Sequence, residues 1–363
     1  MKRKLTFFLA ALALLAPAPA DAAYVPPGFI GLSPQDHPNE VDYELMARAG
    51  VKSVRLPLFW FGAEPVSPFA QRPDWSGFDR GVELAARNRM RVLPFVWGSP
   101  RWVTPEPQIE PVAQAWQRQA WASFLLRAVR RYGADGVFWR QNPELPRMPV
   151  RAWEIWNEQN IIPFGSADPL RFAQLIRTSG RALRRADPGA KLILGGFFGR
   201  PLQVPPNEYP SRFLVELYEL GWVKRWFDGI GWHPYVAEAA AMRNQIRNLR
   251  RVMREHGDGA KPLYITEMGW GSNGNESRWE RGWRGQVRQL DRAFAMLTHH
   301  RRAWRIGGVW WFSLADAAGP ACQFCDSSGL LTVDREAKPS WYRFNAWTRG
   351  DPRGVARASA PSG

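Results

Sequence analysis

Eight apolar segments, separated by stretches with helical spacing, constrain the fold of this 363-residue chain more than any other feature. They cover residues 28–33, 51–60, 91–97, 151–160, 191–197, 227–235, 263–266 and 306–313. Most are continuous apolar runs rather than alternating ones, so both faces of each strand must be covered, which is typical of a parallel sheet. Eight strand–helix units in this length predict an α/β fold, a closed (β/α)8 barrel of one domain.

Two of these strands end on a carboxylate. The Trp-rich segment 151–160 continues into Asn157-Glu158, and the short apolar run within 262–270 ends at Glu267. Asn is a poor strand former, and Glu is almost never fully buried unless it is paired. Because local rules are broken at functional sites and barrel active sites lie at the C-terminal strand ends, we expect these two glutamates to meet there. Such a pair is the pattern of a two-carboxylate glycosidase.

Other polar and aromatic residues are expected at the same strand ends. They are Arg55, Trp97, Asn157, His233, Tyr235, Trp270, Trp310 and Trp311. Together with the two glutamates, this set resembles the clan A glycoside hydrolases, the superfamily of cellulases, mannanases, β-xylosidases and β-galactosidases. In that superfamily an Asn-Glu pair ends strand four and a second Glu ends strand seven. The resemblance covers the whole barrel. It departs in one place, because Gln159-Asn160 stands where many members have Pro, and this leaves the substrate open.

The resemblance implies a retaining double displacement with Glu158 as general acid/base and Glu267 as nucleophile. Apolar neighbours such as Trp153 and Trp156 would keep Glu158 protonated by penalising its charged form. A cation, for which Arg55 is the candidate, would keep Glu267 ionised.

Three further roles follow from the same resemblance. Asn157 would bind the sugar 2-hydroxyl, and Tyr235 would be the hydrogen-bond partner of Glu267. His233 would support the sugar or Glu158. Two alternatives stay open: Arg55 as an interior salt-bridge partner, and His233, which precedes a proline, as a core histidine.

Trp310 and Trp311 point to opposite faces of strand eight. We expect one to line the sugar site, with Trp311 favoured, and the other to pack outward under the helices. Glu154 precedes the strand end and is interpreted as structural. Glu276 and Glu280 lie in a Gly/Asn/Ser loop and are expected to be solvated.

The chain contains 20 Trp, and aromatic residues make up 13% of it. A Trp ring offers a flat apolar face that can stack on a sugar, and it can equally fill the core. Net charge is +16, mostly from Arg scattered through the predicted helices. That distribution favours a solvated outer face over a nucleic-acid groove, although attraction to anionic cell-wall polymers is a further hypothesis.

Residues 1–22 have a basic start, an apolar stretch and a small-residue cleavage site after Ala22. They predict a secretory signal peptide, hence an exported protein with no membrane span. Residues 23–350 would form the catalytic barrel, and residues 351–363 a loose tail.

Cys322 and Cys325 are the two cysteines of the chain, and export favours a local disulfide between them. The histidines are scattered, so we expect no metal and no cofactor. We also expect a monomer that binds a β-linked glycan. Rival functions are a transglycosidase on the same site, an inactive carbohydrate-binding barrel, and a structural protein associated with the cell wall.

Overall fold

The computed structural model of the chain describes residues 25–35, 37–199, 205–274, 277–319, 322 and 324–352. The predicted signal peptide, residues 1–22, and residues 353–363 of the predicted tail lie outside the described residues. Eight strands pair in chain order, every pair is parallel, and the eighth pairs with the first. The predicted (β/α)8 barrel of a single domain is therefore confirmed.

The strands agree with the eight predicted segments. They are β1 (Ile30–Leu32), β2 (Ser53–Phe59), β3 (Arg91–Trp97), β4 (Ala152–Ile155), β5 (Lys191–Phe198), β6 (Gly229–His233), β7 (Leu263–Met268) and β8 (Ile306–Trp311). The helices are α1 (Glu40–Arg48), α2 (Trp60–Ala63), α3 (Ser76–Arg87), α4 (Ala115–Tyr132), α5 (Val137–Gln141), α6 (Pro169–Ala186), α7 (Pro210–Glu219), α8 (Met242–Glu255), α9 (Gly282–His300) and α10 (Pro339–Thr348). Two short 3-10 helices, Val223–Trp226 and Ala239–Ala241, precede β6 and α8.

Local signals explain where the helices begin. At α6, the Asp168 side chain accepts from the amides of Leu170 and Arg171, and Pro169 occupies the first turn, where its missing N–H costs nothing. At α1, Asn39 and Asp42 form a reciprocal capping box. No helix within the described ranges is long and apolar enough to cross a membrane.

Most of the Trp residues fill the core. Of the 20 Trp, 13 are buried, and the structure describes all of them. This favours packing over sugar stacking as the general explanation of the high Trp content. The seven that are not fully buried are Trp75, Trp97, Trp102, Trp116, Trp222, Trp226 and Trp283.

The two Trp residues of β8 do point to opposite faces, but neither lines the site, which corrects the expectation. Trp310 lies inside the barrel with Leu93 and Ile193, and its indole N–H donates to the Ser53 hydroxyl at 3.2 Å. Because Ser53 begins β2, Trp310 and the two residues packed with it lie in the N-terminal half of the barrel, away from the site. Trp311 is completely buried outside the barrel.

Candidate active site

The backbone leaves regular strand geometry just after β4, where it reaches the first glutamate. Trp156 and Glu158 have positive φ angles of 75° and 46°, a region that non-glycine residues seldom adopt. The Glu158 amide donates to the Gly196 carbonyl on β5 at 2.9 Å, which fixes the turn against the neighbouring strand. Such backbone strain costs about 1–3 kcal/mol per residue and persists where the surroundings determine it. It places Asn157 and Glu158 together at the C-terminal end of the barrel.

The guanidinium of Arg55 on β2 connects the polar residues at this end. Its Nε donates to Glu154 at 2.5 Å, and its two Nη atoms donate to Glu267 at 2.6 Å and Asn157 at 2.9 Å. Burial opposes its charge, but the two carboxylates raise the pKa of Arg55, so it remains a cation. The sequence left two roles open for Arg55, an interior salt-bridge partner and a cation beside Glu267. The structure shows both, because Arg55 pairs with Glu154 and with Glu267.

Glu267 on β7 is surrounded by donors. The Tyr235 hydroxyl donates to its Oε2 at 2.7 Å, as expected, while Arg55 donates to its Oε1. The His233 Nδ1 lies 3.6 Å from the same Oε2. Burial opposes ionisation, but His233, Arg55 and the hydrogen bond from Tyr235 outweigh it and lower the pKa of Glu267. This carboxylate is therefore ionised at neutral pH.

Glu158 has the opposite environment. Its Oε1 lies 2.8 Å from the Nδ1 of His233, which is completely buried at the end of β6. Burial raises the pKa of Glu158, and the charge of Glu267 adds to this, so that together they outweigh the opposing effects of His233 and Arg55. Of the two expected contacts of His233, the structure contains the one to Glu158.

The two carboxyl groups lie close enough to act on one atom. One oxygen of Glu158, one of Glu267 and a ring nitrogen of His233 all lie within 4.8 Å of one another. Two carboxyl groups with pKa values moved apart can supply a proton donor and an anionic nucleophile at the same pH. Glu and His also bind metals, but the fixed charge of Arg55 beside Glu267 opposes a cation here.

Trp97 ends β3 at the same face of the barrel and is partly exposed. Its indole N–H donates to the Phe164 carbonyl at 2.9 Å, and the centroids of the Phe61 and Trp97 rings lie 6.0 Å apart. Phe61 and Phe164 are 36% and 39% exposed, so the three rings form an aromatic rim. Phe61 and Phe164 were not predicted, because they lie outside the strands.

Trp270 does not lie at the surface of the site, which corrects a second expectation. It is completely buried, its N–H donates to the Val236 carbonyl at 2.8 Å, and its ring lies 6.0 Å from that of Trp311. Trp311 in turn packs against Phe294 of α9. Rings without exposed surface cannot stack on a ligand. Trp270 and Trp311, which were predicted to bind the sugar, are therefore core residues.

Cys322 and Cys325 form the predicted disulfide, with their sulfur atoms 2.00 Å apart. Between them, Phe324 is buried against Tyr235 and Trp279, at ring-centroid distances of 4.9 and 5.4 Å. The disulfide loop therefore packs on the tyrosine that donates to the nucleophile candidate.

Glu280 is not solvated, contrary to expectation. It is 2% exposed, and the Ser327 hydroxyl donates to it at 2.5 Å. Gly271 leaves room for it, since a Cβ there would lie 2.3 Å from its carboxylate. The Gly/Asn/Ser composition suggested exposure, but this loop folds against the loop that follows β8. Glu276 lies outside the described residues.

Two glycines make room for the buried polar groups. A Cβ on Gly196 would lie 1.9 Å from the His233 Nε2, and a Cβ on Gly231 would lie 2.7 Å from a Glu154 oxygen. Both side chains are completely buried, so neither has space to move aside. Gly196 of β5 and Gly231 of β6 are therefore required by the site.

No protein-family model matches the sequence, and no curated protein matches it. Solved structures do resemble it. A family 39 glycoside hydrolase from Bacteroides cellulosilyticus WH2 is 20% identical, with a TM-score of 0.65 over 92% of this chain and 65% of its own. A glucosidase from Croceicoccus marinus is 15% identical, with a TM-score of 0.65 over 90% of this chain and 69% of its own. A monomeric β-xylosidase from Caulobacter crescentus CB15 is 16% identical, with a TM-score of 0.60 over 89% of this chain and 69% of its own.

This chain spans 65% of the length of the first of these structures. At such low identity the likeness is one of fold. The chain has the barrel fold of these glycoside hydrolases, and its site must be interpreted from its own residues.

Gly196→Ala tests whether β5 must leave room for His233. The added methyl group would overlap the imidazole, so we expect a loss of about 2–3 kcal/mol in the free energy of unfolding, measured by urea denaturation. Gly77→Ala in α3 is the control, since a Cβ there meets nothing within 4 Å and should be neutral or slightly stabilising. Equal stability of the two variants would contradict this packing.

Proposed function

We propose that this chain is an exported glycoside hydrolase that cleaves a β-glycosidic bond with retention of configuration. The observation that carries the proposal is the separation of at most 4.8 Å between an oxygen of Glu158 and one of Glu267. Retaining enzymes hold their carboxyl groups about 5–5.5 Å apart, whereas inverting enzymes leave roughly 6.5–9.5 Å for a water molecule. The opposite pKa shifts of the two groups support the same assignment.

In the first step, the Glu267 carboxylate attacks the anomeric carbon as the bond to the leaving oxygen breaks. Glu158 gives its proton to that oxygen, so the aglycone leaves as a neutral alcohol. The product is a glycosyl ester on Glu267. Tyr235 and Arg55 hold the attacking carboxylate in place, and Arg55 keeps it ionised in a buried setting.

In the second step, Glu158 is a carboxylate and takes a proton from water as the water oxygen attacks the anomeric carbon. The ester bond to Glu267 breaks, and both glutamates return to their starting states. Asn157 would bind the sugar 2-hydroxyl through its amide N–H groups, because its carbonyl oxygen already accepts from Arg55. A sugar instead of water in this step would give transglycosylation.

The substrate we propose is a neutral β-linked glycoside. The partly exposed rim of Phe61, Trp97 and Phe164 supports it, since aromatic faces stack on the C–H faces of sugars. The names of the similar structures, a glucosidase and a β-xylosidase among them, make glucosides and xylosides the first to test.

A panel of aryl β-glycosides, β-glucans, xylans and mannans tests the reaction with wild type beside Glu267→Gln. We expect turnover of one substrate class and a loss on the order of 10⁴-fold or more in the variant, which keeps the shape but not the nucleophile. Glu255→Gln on the exposed face of α8 is the matched control and should retain full activity. Glycan binding by both proteins without turnover by either would support an inactive carbohydrate-binding barrel.

The pH dependence of kcat/KM should be bell-shaped. Activity falls on the acidic side as Glu267, with its lowered pKa, gains a proton, and on the basic side as Glu158, with its raised pKa, loses one. In Glu158→Gln, a dinitrophenyl glycoside needs no acid to depart, so the acidic limb should persist and the basic limb should disappear. A basic limb unchanged in this variant would show that the titration of a group other than Glu158 produces it.

A further inference from the structure

A chain of buried hydrogen bonds continues behind His233, away from the reacting atoms. The His233 Nε2 lies 3.1 Å from the Thr266 hydroxyl oxygen, and that hydroxyl donates to Glu154 at 2.8 Å. The other oxygen of Glu154 accepts from Arg55 at 2.5 Å. His233, Thr266 and Glu154 are all completely buried, so water does not compete for these bonds.

The direction of each proton in this chain follows from counting donors. The Thr266 hydroxyl has one proton and gives it to one oxygen of Glu154, whose other oxygen accepts from Arg55. The Thr266 oxygen must therefore accept from His233, which places a proton on Nε2. In the neutral imidazole Nδ1 is then a lone pair, and it faces Glu158. A hydrogen bond between them requires the proton to be on Glu158.

We propose that Glu154 and Thr266 are positioning residues that hold His233 as its Nε2–H tautomer and thereby keep the acid proton on Glu158. This proposal rests on the proposed function and extends it to two residues that do not touch the substrate. Neutral His233 can donate to an ionised Glu158 only if Thr266 turns its proton away from Glu154. Ionised Glu158 is thus disfavoured, which makes it a stronger base when it takes a proton from water in the second step.

One of the charged and titratable groups around His233, the ionised Glu267, favours a proton on Nδ1, so the contact of Nε2 with Thr266 and Glu154 must outweigh it. Glu158 and Glu154 approach it from β4 and its loop, and Glu267 from β7 lies 3.6 Å from Nδ1. On its own strand segment, Tyr235 has its ring 6.2 Å away, and Arg55 acts through Glu154 and Glu267. From β5, Gly196 presents no side chain.

The first measurement is NMR of protein with ¹⁵N-labelled histidine, which distinguishes protonated from unprotonated ring nitrogens without any substrate. The five histidines make assignment practical, with His233→Gln identifying the signal. At neutral pH we expect a proton on Nε2 of His233 and none on Nδ1. A proton on Nδ1, either alone or together with one on Nε2, would overturn the proposal, even if the protein were found to hydrolyse glycosides.

The second measurement compares Thr266→Val with Thr266→Ser. Valine keeps the shape but removes the hydroxyl, so His233 becomes free to carry its proton on Nδ1 and donate to ionised Glu158. We expect that change of tautomer, and a basic limb of kcat/KM moved about one pH unit lower, which corresponds to about 1.4 kcal/mol. The acidic limb should not move, and serine should restore both properties.

Glu154→Gln gives an independent check, because the amide of the new side chain can donate to the Thr266 oxygen. The Thr266 hydroxyl would then donate to Nε2 of His233, which would carry its proton on Nδ1. It should move the tautomer and the basic limb in the same direction as Thr266→Val. An unchanged tautomer in both variants would overturn the proposal. If no glycoside is turned over by wild type, the proposed function fails, while the NMR result still decides the tautomer.

Discussion

The buried guanidinium of Arg55 holds together carboxylates that would otherwise repel one another. It bonds Glu154 from β4 and Glu267 from β7 in a place where its own side chain is 1% exposed. Burying a charge costs several kcal/mol unless it is paired, and removing one partner of a buried pair typically costs about 3–5 kcal/mol. The ion pairs of Arg55 therefore both connect β2 with β4 and β7 and keep Glu267 ionised.

Two identical side chains acquire different chemistry from their surroundings. Arg55 and the Tyr235 hydroxyl favour the charge of Glu267, whereas burial and the nearby charge of Glu267 disfavour the charge of Glu158. The backbone contributes as well. Glycine on β5 admits the His233 ring, and left-handed residues after β4 turn the first glutamate toward the second. The site is thus determined by backbone space as much as by the groups that titrate.

The fold and the pair of glutamates could be predicted because both depend on local pattern: apolar runs define the strands, and polar residues at their ends define the site. The depth at which a side chain lies inside the barrel could not be predicted from the sequence. Alternation along β8 gave opposite faces for Trp310 and Trp311, but not the layer in which each ring lies. The contact of Thr266 with Glu154 joins residues 112 positions apart, and no sequence period records such a distance. Loop composition likewise failed for Glu280, because burial there is set by a neighbouring loop.

The measurement that tests the central claim most directly is covalent trapping of the nucleophile. Glycosides with a 2-fluoro substituent and a good leaving group slow both steps, the second more than the first, so the glycosyl-enzyme should accumulate. Mass spectrometry of protein treated with the gluco, xylo and manno reagents should find one added glycosyl group, on the peptide that contains Glu267. Turnover of the matching glycoside without any adduct, or an adduct on Glu158, would contradict the account.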